Sequence, residues 1–372
     1  MKQINPFIVF GYESPEYFCD RRVETDTLIS AVKNQRHVTL ISLRRMGKTG
    51  LIKHVFFQLQ NEPDFLLIYI DILPTMDLKD FIKELSKGIL SANRSKAGII
   101  EKMVKILSHL RPKISYDPAT GKPAIELDIS NYSEAEYTLD GLFTYLDNQN
   151  KQVVLAIDEF QQIVHYPEKN TEALLRSNML KSRNVQLILS GSQQNLLFSM
   201  FQDSNRPFYQ STQIMTLNSI EKETYRIFII NKFKEGKKEI SDELVDKILE
   251  WTLCHTYYVQ YYCNRLYELS DRKVKMQDVQ KVASLILEEN VIVYNNYRNM
   301  LTIQQFNLLK AIAKEGVVNK PTAKDFIFKY RLGAASSVKT TLTALIKKEI
   351  VVAGNDGYFI PDLFFSRWLQ TI

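Results

Sequence analysis

The densest run of residues able to do chemistry is SLRRMGKTG at 42–50, which follows the apolar run HVTLISL at 37–43 and opens an amphipathic stretch. A turn between a buried strand and a helix offers free backbone N–H groups, and the helix dipole adds partial positive charge, so it suits phosphate oxygens. Within it, Gly47 lets the main chain approach an anion closely, Lys48 can reach the β- and γ-phosphates of a nucleoside triphosphate, and Thr49 can ligate Mg²⁺ through its hydroxyl. Arg44, Arg45, Met46 and Gly50 complete the loop that would line the phosphates. The phosphate-loop pattern G-x-x-x-x-G-K-[ST] has glycine where this chain has Ser42. If that position needs positive φ, a serine costs about 1–3 kcal/mol. If the loop takes an ordinary φ there, the cost is nil.

A second run, VVLAIDEF at 153–160, sends an apolar strand into Asp158 and Glu159. Asp158 would support Mg²⁺, and Glu159 would orient and polarise an attacking water as general base. A third strand, VQLILSG at 185–191, is followed by Ser192 and Gln193. Polar groups at the carboxyl end of such a strand face the crevice where α/β sheets bind ligands. Ser190 or Ser192 would sense the γ-phosphate; simple capping of the strand end is the other reading.

Elements must carry these groups to one place. The apolar runs 37–43, 65–72, 152–158, 185–191 and 212–217 are nearly continuous in Val, Ile and Leu, as strands buried on both faces are. In 48–60, Leu51, Ile52, Val55, Phe56 and Leu59 share a helical face. The alternation predicts an α/β core with a mostly parallel sheet over residues 1–217. RPKISYDPATGKPAIELDI at 111–129 reads as a β-hairpin insertion around its turn residues DPATGK. Residues 218–300 read as helices only. From 301 to 372 the pattern is helix, helix, helix and hairpin, the layout of a winged helix, with Asn355, Asp356 and Gly357 in the hairpin turn.

The 372 residues are 45% hydrophobic and 24% charged, which excludes a disordered or fibrous chain and suggests two or three domains. Cys19, Cys254 and Cys263 form no CxxC pair, so a reducing, cytoplasmic setting without structural zinc is expected. The apolar run at the N-terminus is too short for a secretion signal, and no run approaches the roughly 18 residues of a membrane helix. Of the net charge of +6, a surplus of five sits in 301–372, with ten basic and five acidic residues. That surplus fits either a polyanionic partner or a solvated lysine-rich surface.

The chain resembles the archaeal-type P-loop ATPases of the AAA+/STAND class. The resemblance runs through FCDRRVETDTL (18–28), RRMGKT in the loop, IYIDILPT (68–75), AIDEFQQI (156–163), LSGSQQNLL (189–197), SNRPFYQST (204–212) and HTYYVQYY (255–262). It implies ATP and Mg²⁺ as ligands, a helical lid over 218–300, and a regulatory or assembly role. Gly47, Lys48 and Thr49 match the loop roles, and Asp158 and Glu159 the acidic ones. The family follows its Pro–aromatic–Tyr step with Gly–Arg, whereas Tyr209 is followed here by Gln210 and Ser211. Arg206 is the available substitute for a catalytic arginine; the alternative is a surface loop arginine. A missing arginine finger implies a slow switch, because such a group contributes roughly 10³–10⁵ in rate. His255 and Thr256 replace the family's small lid residues; His255 either approaches the phosphates or begins a helix.

In the C-terminal segment, SSVKTTLTALIKKE at 336–349 would be the recognition helix, with Val338, Leu342 and Leu345 buried. Ser336, Ser337, Lys339, Thr340, Lys347 and Lys348 suit phosphate contacts, and no Arg, Asn or Gln is present to read base edges. The expectation is an ATP-binding protein that hydrolyses slowly as a switch for its winged helix. The alternatives are a duplex-DNA-binding regulator that uses ATP only as a ligand, and a scaffold that binds another protein. Whether a homo-oligomer completes the site stays open.

Overall fold

A computed structural model describes residues 5–92, 113–116, 123–126, 132–354 and 356–372. The described chain divides into two compact units, 11–218 and 219–372, the second including residues 5–10.

The first unit contains, in order, α1 (Arg22–Lys33), β1 (Val38–Ile41), α2 (Lys48–Leu59), β2 (Phe65–Asp71), α3 (Leu78–Ala92), β3 (Lys113–Tyr116), β4 (Pro123–Glu126), α4 (Tyr132–Asp147), β5 (Gln152–Asp158), α5 (Thr171–Lys181), β6 (Val185–Gly191), α6 (Gln194–Gln202) and β7 (Gln213–Thr216). Five strands form one parallel sheet in the order β2-β5-β6-β1-β7, as the sequence predicts for its α/β core. Alternate strand residues point to opposite faces. Ile68, Ile70, Leu155, Ile157, Leu187 and Leu189 therefore pack with α3, α4, α5 and α6 on one side. Leu40, Val154, Ala156 and Ile188 pack with α1 and α2 on the other. Helices on both faces explain why the strands read as unbroken apolar runs. Because every strand is parallel, their carboxyl ends share one edge: Asp71 lies opposite Asp158, and Ile41 opposite Gly191. The expected hairpin insertion pairs β3 with β4 from Lys113↔Glu126 to Tyr116↔Pro123; its turn, 117–122, lies outside the described residues.

The second unit contains α7 (Lys222–Glu235), α8 (Asp242–Thr252), α9 (Thr256–Leu269), α10 (Met276–Glu289), α11 (Val291–Met300), α12 (Ile303–Glu315), α13 (Lys324–Tyr330), α14 (Ala335–Lys347), β8 (Val352–Gly354), β9 (Gly357–Phe359) and α15 (Leu363–Gln370). Thr302 and Gln305 form a capping box that starts α12, and Gly316 at φ 77° ends it. β8 and β9 pair antiparallel, and Tyr358 bridges to Val318 as a third short rung. Gly357 sits at φ 134°, where a Cβ would lie 2.6 Å from the Val318 carbonyl oxygen. Asn355, expected in that turn, lies outside the described residues. Val338, Leu342 and Leu345 are buried.

Helix α15 was not apparent from the sequence pattern. Its aromatics pack on the helices before it: the Phe364 ring lies 5.6 Å from Trp251 and 4.6 Å from Tyr258, and Arg367 donates to the Trp251 carbonyl at 3.0 Å. The Tyr258 hydroxyl accepts the Leu363 N–H at 3.0 Å and so caps the start of α15. At the other end of the chain, the Asn5 side chain donates to the Asn264 carbonyl, Asn264 donates to Phe7, and Phe7 is buried among Phe228, Phe233 and Tyr267. No helix among the described residues is long and apolar enough to cross a membrane.

Candidate functional site

The site is built where β1, β5 and β6 end. The loop leaving β1 has positive φ at Arg45 (64°) and Gly47 (97°), and not at Ser42. The serine that departs from the glycine pattern is therefore unstrained. The left-handed residue is Arg45, at a cost of about 1–2 kcal/mol. Ser42 is fully buried and donates to the Leu43 carbonyl at 3.0 Å.

Lys48, the first residue of α2, is buried and folds back along this loop. Its ammonium donates to the Ser42 carbonyl (3.3 Å), the Ser42 Oγ (3.2 Å) and the Leu43 carbonyl (3.2 Å). Burial pushes its pKa down; Glu159 and Asp158 pull it back up, and Arg44 adds to the depression. Thr49, one residue on, donates to Asp158 Oδ2 at 2.5 Å. This bond joins the loop to β5 across the intervening strand β6.

Asp158, 3% exposed, is satisfied from four directions. Thr49 and Tyr69 (2.9 Å) donate to Oδ2, while Ser190 (2.5 Å) and the Glu159 amide (3.0 Å) donate to Oδ1. A buried carboxylate needs this many donors to offset lost hydration. Tyr69, on β2, has its phenol pKa pushed far up, first by burial and then by the Asp158 charge. Asp71 ends the same strand; burial raises its pKa, the Leu73 amide opposes this, and the charges of Asp158, Glu159 and Glu84 raise it further.

Glu159 stands in left-handed backbone (φ 55°) at the turn from β5 into a 3-10 helix over Phe160–His165. Its Oε2 accepts from Gln161 Nε2 at 2.5 Å and from Ser192 Oγ at 2.9 Å. Ser192 thus meets Glu159, and Ser190 meets Asp158. The two serines divide between the two acids, whereas the sequence left open which of them faces a phosphate.

The loop residues are distributed by chemistry. Arg44 and Arg45 are exposed, and Met46 is buried in the core on the α1–α2 side of the sheet. Gly50 has 3.5 Å between a Cβ position and Phe18, whose ring stacks on His54 at 4.3 Å. The Arg206 guanidinium holds Glu172 on α5 through two bonds, Nε at 3.2 Å and Nη2 at 2.5 Å. His255 precedes α9 as its N-cap, 4.6 Å from the Tyr258 ring. Among the described residues no cluster of three His, Cys, Asp or Glu can hold a metal alone, and all three cysteines are free.

Sequence reasoning missed three residues and the contact made by a fourth. Tyr69 and Gln161 lie inside quoted motifs but were given no role. Glu172 carries no signal, because its partner is 34 residues away. Arg21, buried at φ 64°, pairs with Glu24 at 2.7 Å and donates to the Met46 carbonyl at 3.3 Å, so it buttresses the phosphate loop from the segment before α1.

A parallel sheet with the lysine loop following one strand and the acid pair at the end of a strand two places away defines a P-loop ATPase core, here followed by a winged helix. The family model of an ATPase domain predominantly from Archaea matches residues 18–261, and the chain belongs to that family. A model described as a probable winged helix domain matches residues 292–371. Among solved structures, a Walker-type ATPase of Pyrococcus abyssi superposes with a TM-score of 0.67 at 18% identity, over 98% of this chain and 99% of that one. The Orc2 protein of Aeropyrum pernix, solved as ADPNP–ADP complexes, gives 0.62 at 15% identity, over 100% and 98%. The Aeropyrum pernix Orc1 protein in complex with DNA gives 0.53 at 12%, over 96% and 94%. These likenesses are of fold. No curated protein sequence matches the chain.

Proposed function

We propose that the protein binds ATP with Mg²⁺ at the 42–50 loop, hydrolyses it slowly, and uses the nucleotide state as a switch for its winged helix, as a member of the AAA+/STAND class. The observation that carries this reading is the Thr49–Asp158 bond of 2.5 Å, which sets a hydroxyl and a carboxylate together beside Lys48. Both are hard oxygen donors of the kind Mg²⁺ takes, so they fit the ion and would hold it. When bound, Mg²⁺ supplies neutralisation of the phosphate charge. Lys48 exchanges its loop acceptors for phosphate oxygens. Glu159 takes the proton of the water that attacks the γ-phosphorus as the bond to ADP breaks. Arg206 is left out of this mechanism, since its guanidinium is committed to Glu172. Without an arginine finger such a core would lack roughly 10³–10⁵ in rate, which is the basis for expecting slow turnover. The setting proposed is cytoplasmic, where the three free thiols stay reduced.

A second reading, a DNA-binding regulator, is favoured by the exposed Ser336, Lys339, Thr340, Lys347 and Lys348 along α14, together with the basic surplus of its segment. With no Arg, Asn or Gln on α14, such binding would follow phosphates more than bases.

One assay tests both. Glu159→Gln keeps MgATP affinity and lowers turnover by about 10²–10⁴; unchanged hydrolysis removes Glu159 from the mechanism. The same measurement with duplex DNA at two salt concentrations separates the readings. Salt-sensitive DNA affinity without turnover would favour the regulator.

A further inference from the structure

We infer that Gln161 is the positioning residue that aims the Glu159 carboxylate, and that Gly191 is glycine in order to seat it. The inference rests on the hydrolytic reading above and adds the device that would set its general base.

Gln161 is 4% exposed and lies two residues beyond Glu159, on the 3-10 turn that follows β5. Its Nε2 donates to Glu159 Oε2 at 2.5 Å. Its Oε1 is buried and has no hydrogen-bond partner among the described residues. A buried amide oxygen left unsatisfied loses its hydration with nothing in return. Turning the amide over would not relieve this, because the carbonyl would then face a carboxylate, which accepts and cannot donate. The orientation is forced by Glu159, and the cost persists for that one contact.

The neighbouring strand makes room for the arrangement. A Cβ on Gly191 would fall 1.9 Å from Gln161 Oε1 and 3.1 Å from its Cδ. The end of β6 is thus a notch into which the Gln161 amide fits, and any side chain there would push the amide off Glu159. From the same strand end, Ser192 Oγ supplies the second donor to Oε2, at 2.9 Å. Two donors fix Oε2, and left-handed backbone fixes the direction in which Glu159 leaves the chain. Oε1 of Glu159 is the oxygen left to receive a proton. Without the clamp the side chain samples its rotamers, and only a fraction place Oε1 productively.

The test is steady-state hydrolysis of MgATP by the full chain, with MgATP-analogue affinity measured alongside, for wild type, Gln161→Ala and Gln161→Glu. The glutamate variant matches the shape of the side chain and sets like charge against Glu159, so it separates aiming from packing. The inference expects kcat to fall about tenfold or more in both variants, with KM and analogue affinity within about twofold of wild type. A purely structural role would weaken binding as well. If both variants keep wild-type kcat, or lose kcat and affinity together, the inference is overturned while hydrolysis stands. If wild type binds MgATP and never turns it over, the hydrolytic reading falls and Gln161 has no base to aim.

Discussion

At the scale of single residues, the site depends on one buried carboxylate that serves several donors. Asp158 is bonded to Thr49, Tyr69, Ser190 and the Glu159 amide. Each bond to a charged acceptor is worth about 1.5–3 kcal/mol. Tyr69→Phe deletes one donor and keeps the ring, so it should lower stability by about that amount in urea unfolding; an unchanged midpoint would mean that Tyr69 holds nothing. Lys48, Thr49, Asp158 and Glu159 were legible in the sequence because the chemistry of phosphate and metal binding packs their types into short runs. The roles of Tyr69 and Gln161 were not, nor was the bond from Arg21 to the Met46 carbonyl, since each depends on a contact that only folding creates. Ser42 is free of backbone strain for a local reason: the loop places its left-handed turn at Arg45 and Gly47.

At the scale of elements, the parallel sheet was legible because strands buried on both faces lose polar alternation, as β1, β5 and β6 do, and the flanking strands β2 and β7 are apolar enough to read with them. Helix α15 was not, because Phe364, Phe365 and Trp368 are explained only by the aromatic surface they meet on α8, α9 and α11. One inter-strand link is sensitive to pH. His37, at the start of β1, accepts the Leu187 N–H through Nδ1 at 3.0 Å, and burial lowers its pKa. A base whose folded pKa is depressed leaves stability intact above its unfolded value of about 6.5. Below that value the unfolded chain takes up a proton that the folded chain refuses, so stability falls until the folded pKa is passed. Melting temperature should therefore drop as pH is lowered from about 7 to 5, and His37→Asn, which keeps an acceptor and cannot titrate, should drop less. Equal slopes for the two proteins would contradict the assignment.

At the scale of the whole molecule, the unit 11–218, which carries the phosphate loop and the acid pair, is joined to a second unit in which the helices after 218 and the winged helix are packed together by α15. Tyr258 belongs to the HTYYVQYY run and caps α15, so the run that resembles a lid motif is bonded directly to the winged-helix segment. That link gives the proposed switch a physical route within the second unit. All of it presupposes that the 42–50 loop binds a triphosphate, and calorimetric titration of the full-length chain with MgATP, wild type against Lys48→Ala, tests this most directly. The account predicts saturable binding at one site in wild type and none detectable in the variant. Equal binding by both proteins, or none by wild type, would contradict it.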